Sequence, residues 1–470
     1  MSNVRTKNPI SLRNLKLLNL VVMSAIFWLL WTRCGASRLY EGEFISFRNI
    51  AFLAAFVLLY FAFSRIYNAF SVVYCSVREL ILSQFLTALF ANSIIFLVTA
   101  VIFGTLDHIL PFFITLCCQT AFAVIWCCGT HALYFKYTKS GDTYIIYDMQ
   151  EGMENTLNEH GLDKRYKVVG TCTAQECLEK NMSMLTGNVH TVFFSGVHSH
   201  DRNIILKYCI ENHISCFIIP RVGDLLMSSA LTMNIMHLPM LYVSRYTPNP
   251  EYVIIKRAFD IFASAVGLIL ASPFMAVIAL AVRSDGGPAI YRQTRLTKDG
   301  KEFQIMKFRS MRTDAEKDGV ARLSTGDNDD RVTKVGRIIR MLRLDELPQL
   351  INVFRGDMSL VGPRPERPEI AAQYEAEMPE FRLRLQAKAG ITGYAQVYGQ
   401  YNTTPYHKLQ LDLMYIAHPS LLQDLKILFA TVKIIFMKDS TEGVAEGQTT
   451  ALDYQNAADR TGKYAETVSK

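Results

Sequence analysis

The residue types best suited to chemistry gather between Tyr291 and Tyr398. Asp345 and Glu346 are adjacent carboxylates, followed by Leu347-Pro348-Gln349-Leu350. Proline fits only the first turn of a helix, so the pair is predicted at that helix's N-terminus. Such a terminus stabilises anions and holds phosphate. In a basic neighbourhood one carboxylate can act as nucleophile or base. The other can bind Mg²⁺, which takes oxygen ligands and substrate phosphates. Plain first-turn capping accounts for the same two residues. Asp357-Met358-Ser359-Leu360-Val361-Gly362-Pro363-Arg364-Pro365-Glu366-Arg367 follows shortly after. Pro363 and Pro365 restrict the backbone around Arg364, whose guanidinium can grip a phosphate through two hydrogen bonds. Gly390-Ile391-Thr392-Gly393-Tyr394 is a further turn signal that brings in an aromatic ring.

Cations surround these segments. Arg292, Arg295, Lys298, Lys301, Lys307, Arg309 and Arg312 alternate with Tyr291, Phe303 and Phe308. Lys334, Arg337, Arg340 and Arg343 recur at intervals of three beside Val335, Ile338, Ile339 and Leu342. On a helix this is a cationic face next to an apolar stripe. It suits a membrane interface, and equally the solvated face of a globular helix. Nucleic acid is not expected as a partner, because no recognised binding motif accompanies the charge.

The elements that must position these groups are strongly apolar. Of 470 residues, 50% are hydrophobic and only 19% charged, which excludes a disordered chain. The net charge of +7 suits an anionic membrane face or phosphate groups. Leu17–Thr32, Ile50–Ser64, Leu80–Phe103 and Ile109–Phe135 are nearly charge-free, and residues 1–140 are expected to form four transmembrane helices. No cleavage site follows the first run, so it is not read as a signal peptide. Arg5, Lys7, Arg13 and Lys16 place the N-terminus in the cytoplasm, and an even number of crossings returns the chain there beside Lys136 and Lys139.

Residues 141–248 alternate short β-rich runs, the last being PMLYV, with helix-compatible stretches. That predicts a small Rossmann-like α/β domain with a mainly parallel sheet. Its first strand lacks a GxGxxG turn, so a scaffold or oligomerisation role is favoured over a bound dinucleotide. His198 and His200 read as ordinary loop histidines. All ten cysteines lie at or before Cys216 without a CxxC, as expected of reduced thiols rather than a disulfide framework.

A fifth apolar run, Ala258–Ala281, has Lys256 and Arg257 before it, Arg283 after it and Ser272-Pro273 near its middle. Cationic flanks at both ends conflict with a simple crossing. A helix–break–helix over about 254–282, entering and leaving by one leaflet, resolves the conflict; an ordinary kinked span is the alternative. Residues 249–440 then make the chemistry-bearing domain, and 441–470 a polar, mobile tail.

Read together, these segments carry a resemblance. Lys256-Arg257…Asp260, Ser272-Pro273, Tyr291-Arg292-Gln293, Lys307-Phe308-Arg309-Ser310-Met311, Asp345-Glu346-Leu347-Pro348-Gln349-Leu350, Gly356 to Pro365 and Gly390-Ile391-Thr392-Gly393 stand in one family's order and spacing. Over about residues 253–440 the sequence closely resembles the bacterial polyprenyl-phosphate sugar-1-phosphate transferases, the monotopic phosphoglycosyl transferases. With the preceding spans and α/β domain it looks like the long form. Its usual members are undecaprenyl-phosphate glucose or galactose phosphotransferases of exopolysaccharide, capsule and O-antigen (lipopolysaccharide) synthesis.

The resemblance implies a two-step transfer of a sugar 1-phosphate from a UDP-sugar to undecaprenyl phosphate at the cytoplasmic face of the bacterial inner membrane. Asp345 matches the nucleophile, Glu346 the Mg²⁺-binding carboxylate and Arg364 the arginine that engages the nucleotide sugar. Lys307 and Arg309 lie near the same site in the family, and Arg292, Asp357 and Arg367 join them as candidate substrate-binding residues. Lys256, Arg257, Ser272, Pro273, Pro363 and Pro365 are expected to be structural. A homodimer is likewise implied. The family usually has proline where this chain has Ala389, which removes no charged group. A non-catalytic membrane scaffold is the rival reading, disfavoured by the intact Asp345-Glu346. A transporter is disfavoured by the scarcity of ionisable residues in the four spans.

Overall fold

The computed structural model describes residues 12–36, 45–137, 141–148, 152–159, 161–163, 165–235, 237–284, 286–312, 331–399 and 404–435. The expected tail at 441–470 lies outside them, as do Arg5, Lys7 and Lys139. The chain divides into two compact units, Met1–Ile219 and Pro220–Lys470.

The first unit opens with α1 (Leu12–Leu30), which continues as a π-helical turn to Ala36, then α2 (Phe47–Ile66), α3 (Val77–Phe103) and α4 (Ile109–Tyr137). Each is long and apolar enough to cross a membrane. Amides and hydroxyls fasten them together. The Tyr60 hydroxyl meets Asn19 Oδ1 at 2.9 Å and also Gln84, whose Nε2 donates to the Ala69 carbonyl at 2.7 Å. Asn92 Nδ2 donates to Gln119 Oε1 at 2.6 Å. Interhelical bonds of this kind hold apolar helices where no water can satisfy the polar groups. Among the described residues of these helices the buried polar groups include no lysine, arginine or carboxylate.

An α/β layer follows: β1 (Gly141–Tyr147), α5 (Met153–Glu159), β2 (Tyr166–Thr173), α6 (Ala174–Glu179), β3 (Val189–Ser195), α7 (Ser199–Glu211) and β4 (Ser215–Ile218). The four strands run parallel in the order β2-β1-β3-β4. Just past β1, Asp148 accepts the Ala174 N–H at 3.1 Å and the His198 N–H at 3.2 Å. A carboxylate of the chain itself therefore occupies the loop amides at the switch point where such sheets usually hold a ligand phosphate.

The predicted fifth strand is absent from this sheet. Residues 239–242 of PMLYV fall in β6 (Leu238–Tyr242), which among the described strands pairs with β5 (Leu231–Ile235) as an antiparallel hairpin. Pro239 cannot donate to a ladder, which bars β6 from a central position. Before it, α8 (Val222–Ser228) buries Leu225 among residues of the second unit. The seam therefore falls at Ile219/Pro220, earlier than the 248/249 boundary read from the sequence.

The rest of the second unit begins with α9 (Pro250–Ser284), followed by the hairpin β7 (Ile290–Leu296) and β8 (Glu302–Phe308). Next come α10 (Lys334–Met341), a 3₁₀ turn (Leu344–Glu346), α11 (Gln349–Arg355), β9 (Ser359–Val361) and α12 (Pro368–Glu377). A second 3₁₀ segment (Pro379–Gln386) leads to β10 (Gly390–Thr392), parallel to β9, and then α13 (Tyr394–Tyr398), α14 (Pro405–Ala417) and α15 (Leu421–Ile435). Val353, Met358, Phe381, Leu409, Leu413 and Ile427 form the centre of its core.

The break expected at Ser272-Pro273 is instead a proline within one continuous helix, α9. Pro273 has no N–H for the Ile269 carbonyl, and Ser272 Oγ donates to that oxygen at 2.8 Å. Both halves of α9 seat on the same body. Arg257 donates to the Val353 and Phe354 carbonyls at 2.7 and 2.8 Å, Lys256 pairs with Asp424 at 2.8 Å, and Asp260 accepts the Leu360 N–H at 3.1 Å. In the other half, Ile278 and Val282 pack on Phe308 and Ile339. Between these two sets Ile269, Leu270 and Phe274 are exposed.

Candidate active site

Three elements deliver the central groups. Gly336 lets α10 lie against the preceding loop, since a Cβ there would stand 2.0 Å from the Ser310 carbonyl oxygen. At the end of α10, Arg343 takes a left-handed conformation (φ +55°), a strained choice for a residue with a side chain. It turns the chain into the 3₁₀ segment carrying Asp345 and Glu346, ahead of α11 as the proline at 348 predicts. From β8, Lys307 Nζ donates to Glu346 Oε1 at 3.0 Å; from the turn after β9, Arg364 Nη2 donates to the same oxygen at 3.0 Å.

The two neighbouring carboxyls are driven in opposite directions. Burial pushes Asp345 up, and the adjacent Glu346 charge adds to it, against the opposing pull of Lys307, Arg340 and Arg343. Burial acts on Glu346 in the same sense, but Lys307, Arg364 and Arg343 overcome it and hold that carboxyl far below the usual range. Glu346 in turn raises Arg364. Burial lowers Lys307 despite its carboxylate partner. A firmly ionised glutamate thus stands beside an aspartate of raised basicity.

Close backbone packing sets the place of Arg364. A Cβ on Gly362 would stand 2.2 Å from the Lys388 carbonyl oxygen, one on Gly390 2.1 Å from the Gly362 nitrogen, and one on Gly393 2.1 Å from the Gly362 oxygen. The glycines of both motifs exist so that β9 and β10 can touch. Gly362 N–H donates to the Thr392 carbonyl and Gly390 N–H to the Pro363 carbonyl, each at 2.9 Å. Ala389 uses the N–H that a proline would lack, donating to Thr297 Oγ1 at 3.2 Å. That hydroxyl donates on to the Asp357 carbonyl at 3.1 Å.

Asp345, Glu346, Lys307 and Arg364 are therefore brought together. Other candidates are not. Arg309 is 7% exposed and donates to the Val282 carbonyl at 2.8 Å, capping the end of α9. Arg292 stands opposite Met306 while Lys307 stands opposite Tyr291, so strand alternation puts Arg292 on the other face and Arg295 on the face of Lys307. Asp357 accepts the Asn352 amide at 3.0 Å. Arg367 begins α12 as its N-cap, and it adds, after burial and Arg364, to the lowering of Arg295. Lys256, Arg257, Ser272, Pro273, Pro363 and Pro365 hold the framework.

Sequence reading passed over Asn352, which fastens α11 to β8. Its Nδ2 donates to the Gln304 carbonyl at 2.8 Å and its Oδ1 accepts the Met306 N–H at 3.0 Å. The signal was available: asparagine is a poor residue for the middle of a short helix unless its side chain has work elsewhere. Arg295, Glu366, Arg384, Lys408 and Asp412 form a further group behind the arginine turn.

Among the described residues no group of three or more His, Cys, Asp or Glu could cage a metal. Mg²⁺ needs no such cage, because it is typically held by one or two carboxylates plus substrate phosphates. The donors present fit it: Glu346 is kept ionised, and its ion pairs with Lys307 and Arg364 both fall on Oε1.

Known proteins are similar in sequence to the part of the chain that carries this site. A family model described as bacterial sugar transferase matches residues 251–438. The chain is 44% identical over 191 residues to the UDP-glucose:undecaprenyl-phosphate glucose-1-phosphate transferase of Caulobacter vibrioides, covering 39% of this chain and 71% of that one. It is 41% identical over 222 residues to the Escherichia coli protein of the same name, covering 44% and 47% of the two chains. It is 37% identical over 234 residues to the UDP-N-acetylgalactosamine-undecaprenyl-phosphate N-acetylgalactosaminephosphotransferase of Aeromonas hydrophila, covering 49% and 54%. The similarity thus spans about half the length of the last two relatives.

Proposed function

The chain belongs to the bacterial sugar transferase family, and from that premise we propose that it moves a hexose 1-phosphate from a UDP-sugar to undecaprenyl phosphate, starting exopolysaccharide, capsule or O-antigen assembly. The observation that carries the reading is the convergence of Lys307 and Arg364 on one oxygen of Glu346, beside a buried Asp345.

Asp345 attacks the sugar-bearing phosphorus of the UDP-sugar, forming a carboxylate–phosphorus bond as the bond to UMP breaks. An oxygen of undecaprenyl phosphate then attacks that phosphorus, and Asp345 leaves as a free carboxylate. Raised basicity makes Asp345 the better nucleophile of the pair. Lys307 and Arg364 offset the negative charge that both substrates bring. Glu346 would hold Mg²⁺ together with substrate phosphates, and the ion would supply further charge neutralisation there.

The membrane has a defined part in this proposal. Gly267 lies against Leu350 and Met275 packs with Ile278 and Val282, so the stretch 268–274 between the two seated halves of α9 spans only about 10 Å at 1.5 Å per residue, against about 30 Å of hydrocarbon. That supports a helix dipping into the cytoplasmic leaflet rather than crossing. Exposed Ile338 and Met341 on α10 and Leu422 on α15 suit the same headgroup depth. For the homodimer, the support is the β5–β6 hairpin. The paired residues Leu231/Tyr242, Met233/Met240 and Ile235/Leu238 make one wholly apolar, exposed face. Free strand edges cannot lie in lipid, so a second copy is the fitting cover. The six side chains offer roughly 600 Å², approaching the ~800 Å² per partner of an ordinary interface.

The test incubates membranes with labelled UDP-sugar, undecaprenyl phosphate and Mg²⁺. Label is expected in the lipid fraction with UMP released, and chelation by EDTA is expected to stop both. Asp345→Asn is expected to abolish transfer and covalent labelling of the protein; full turnover by that variant would overturn the mechanism.

A further inference from the structure

We propose that Arg384 is a positioning residue for this reaction: from a buried charge network behind the Pro363-Arg364-Pro365 turn, it sets where Arg364 meets the nucleotide sugar. The inference rests on the function proposed above and adds a residue to it that lies in none of the recognised motifs.

Arg384 sits in the 3₁₀ segment Pro379–Gln386 and is only 2% exposed. Its Nε donates to Asp412 Oδ2 at 2.9 Å, and its Nη2 approaches the same oxygen at 2.6 Å. That Nη2 also donates to the backbone carbonyl of Arg364 at 2.9 Å. Nη1 stands 3.5 Å from Glu366 Oε1. The Phe381 ring closes the site, with its centroid 4.9 Å from the guanidinium carbon. Glu366 pairs in addition with Lys408 of α14 and, at 3.9 Å, with Arg295. Arg295 Nη1 donates to the Pro365 carbonyl at 3.1 Å.

Three consecutive residues, 364 to 366, are thus gripped from behind by two arginines. The turn needs this. Prolines at 363 and 365 have no N–H to fasten it, so its carbonyls must take donors from elsewhere. Only a guanidinium can serve all these acceptors from one position, because its donors form a rigid planar fork. The backbone of Arg364 is therefore fixed on one side while its side chain reaches Glu346 on the other. Asp412 belongs to the device as the buried countercharge that aims Arg384, and α14 supplies both Asp412 and Lys408.

The test uses the full-length protein in lipid nanodiscs, comparing wild type with Arg384→Lys, Arg364→Met and the double variant. It measures kcat, KM for UDP-sugar and for undecaprenyl phosphate, melting temperature, and UMP affinity by calorimetry. Arg384→Lys keeps the charge and loses the fork. The expected result is a tenfold or greater rise in KM for UDP-sugar, a matching loss of UMP affinity and an unchanged KM for the lipid. In the Arg364→Met background the same substitution is expected to change nothing further, because Arg384 acts through Arg364. Effects that multiply in the double variant, or equal losses toward both substrates, would overturn the proposal. Should Arg384→Lys fail to fold, Lys408→Met takes its place: that side chain is 27% exposed and its ion pair is with Glu366, so a smaller rise confined to UDP-sugar is expected. Wild type that binds UMP no better than Arg384→Lys does sinks this proposal alone. Wild type that neither binds UMP nor uses any UDP-sugar sinks the proposed function, and this inference with it.

Discussion

Gly362→Ala puts the geometry of the arginine turn to a direct test. The added Cβ would stand 2.2 Å from the Lys388 carbonyl oxygen, 3.1 Å from the Gly390 nitrogen and 3.2 Å from the Ala389 carbonyl carbon. Ordinary contact begins at 3.4 Å, so the strands must part by 3.4 − 2.2 = 1.2 Å. Every obstructing atom is backbone, and no side chain can rotate away. The two bonds joining the segments, Gly362 N–H to Thr392 O and Gly390 N–H to Pro363 O, are each 2.9 Å long and would not survive that displacement. Losing two net hydrogen bonds and stranding a buried donor costs about 3–5 kcal/mol. At about 2–4 °C per kcal/mol the melting temperature should fall by roughly 10 °C. Arg364 moves with its strand, and a displacement of about 1 Å at a reacting site is worth on the order of 100-fold in rate. The assay is thermal unfolding of the purified chain, with UMP release measured below the KM for UDP-sugar. Gly300→Ala is the control: its φ of +73° imposes strain, but a Cβ there meets nothing within 4 Å. It should cost about 1–2 kcal/mol and leave turnover intact. A Gly362→Ala protein that melts with wild type and keeps kcat/KM within twofold would refute the close-packing account.

Three further perturbations probe other parts of the molecule. Pro273→Ala returns an N–H to the Ile269 carbonyl and should straighten α9. A cysteine introduced at position 286 should stay shielded from an external reagent in the parent and become more reactive in the variant; external labelling in the parent would end the re-entrant reading. Glu366 lies well below the ordinary carboxyl range, burial being outweighed by Lys408 and Arg384. A depressed native value gives stability that is complete above the unfolded pKa, about 4.3, and lost as pH falls toward the native one. Glu366→Gln should therefore melt lower than wild type at pH 7, and the gap should begin to narrow below about pH 4 and close only as pH nears the far lower native value; parallel curves at all pH would contradict the assignment. Met233→Asp with Met240→Asp places charge at the centre of the hairpin's apolar face and should yield monomers by light scattering in nanodiscs, whereas Thr232→Asp on the opposite face should not. An unchanged mass in the double variant would remove the hairpin from the interface.

How much of this was legible in the sequence depends on the range over which each feature is specified. Asp345, Glu346 and Arg364 announce themselves through neighbours: a proline that starts a helix, and two prolines that frame an arginine. Lys307 could be proposed from local charge, but its distinction from Arg292 needed the register of β7 against β8, which alternation alone cannot supply. Arg309 lies one residue beyond the end of β8 and turns under α9 instead of toward Glu346. The run PMLYV was readable as a strand, yet period-2 patterning carries no information about which strand it will join. Arg384, Lys408 and Asp412 were invisible as a group, because a charged residue in sequence reads as exposed. Only the packing of α14 behind the arginine turn brings them into one buried cluster.

The opposed behaviour of the two carboxyls gives that buried cluster its purpose. In the proposed reaction both substrates bring phosphate to a site whose cations already serve Glu346, so some of that attraction must be transferable. Arg364 is the candidate for exchange: its side chain is 34% exposed, against 21% for Lys307 and 13% for Glu346. A guanidinium that leaves one anion for another must do so about a fixed backbone, or the turn would follow the side chain and the geometry would be lost. Arg384 and Arg295 hold that backbone through the carbonyls of Arg364 and Pro365 without touching the guanidinium's own partner. Lys307 would meanwhile stay with Glu346 and keep it ionised while Arg364 engages a substrate phosphate in the proposed reaction. In the proposed reaction, the division between a held backbone and an exchangeable side chain would let one arginine serve the resting carboxylate and then the incoming phosphate, while Asp345 keeps the raised basicity that the proposed attack requires.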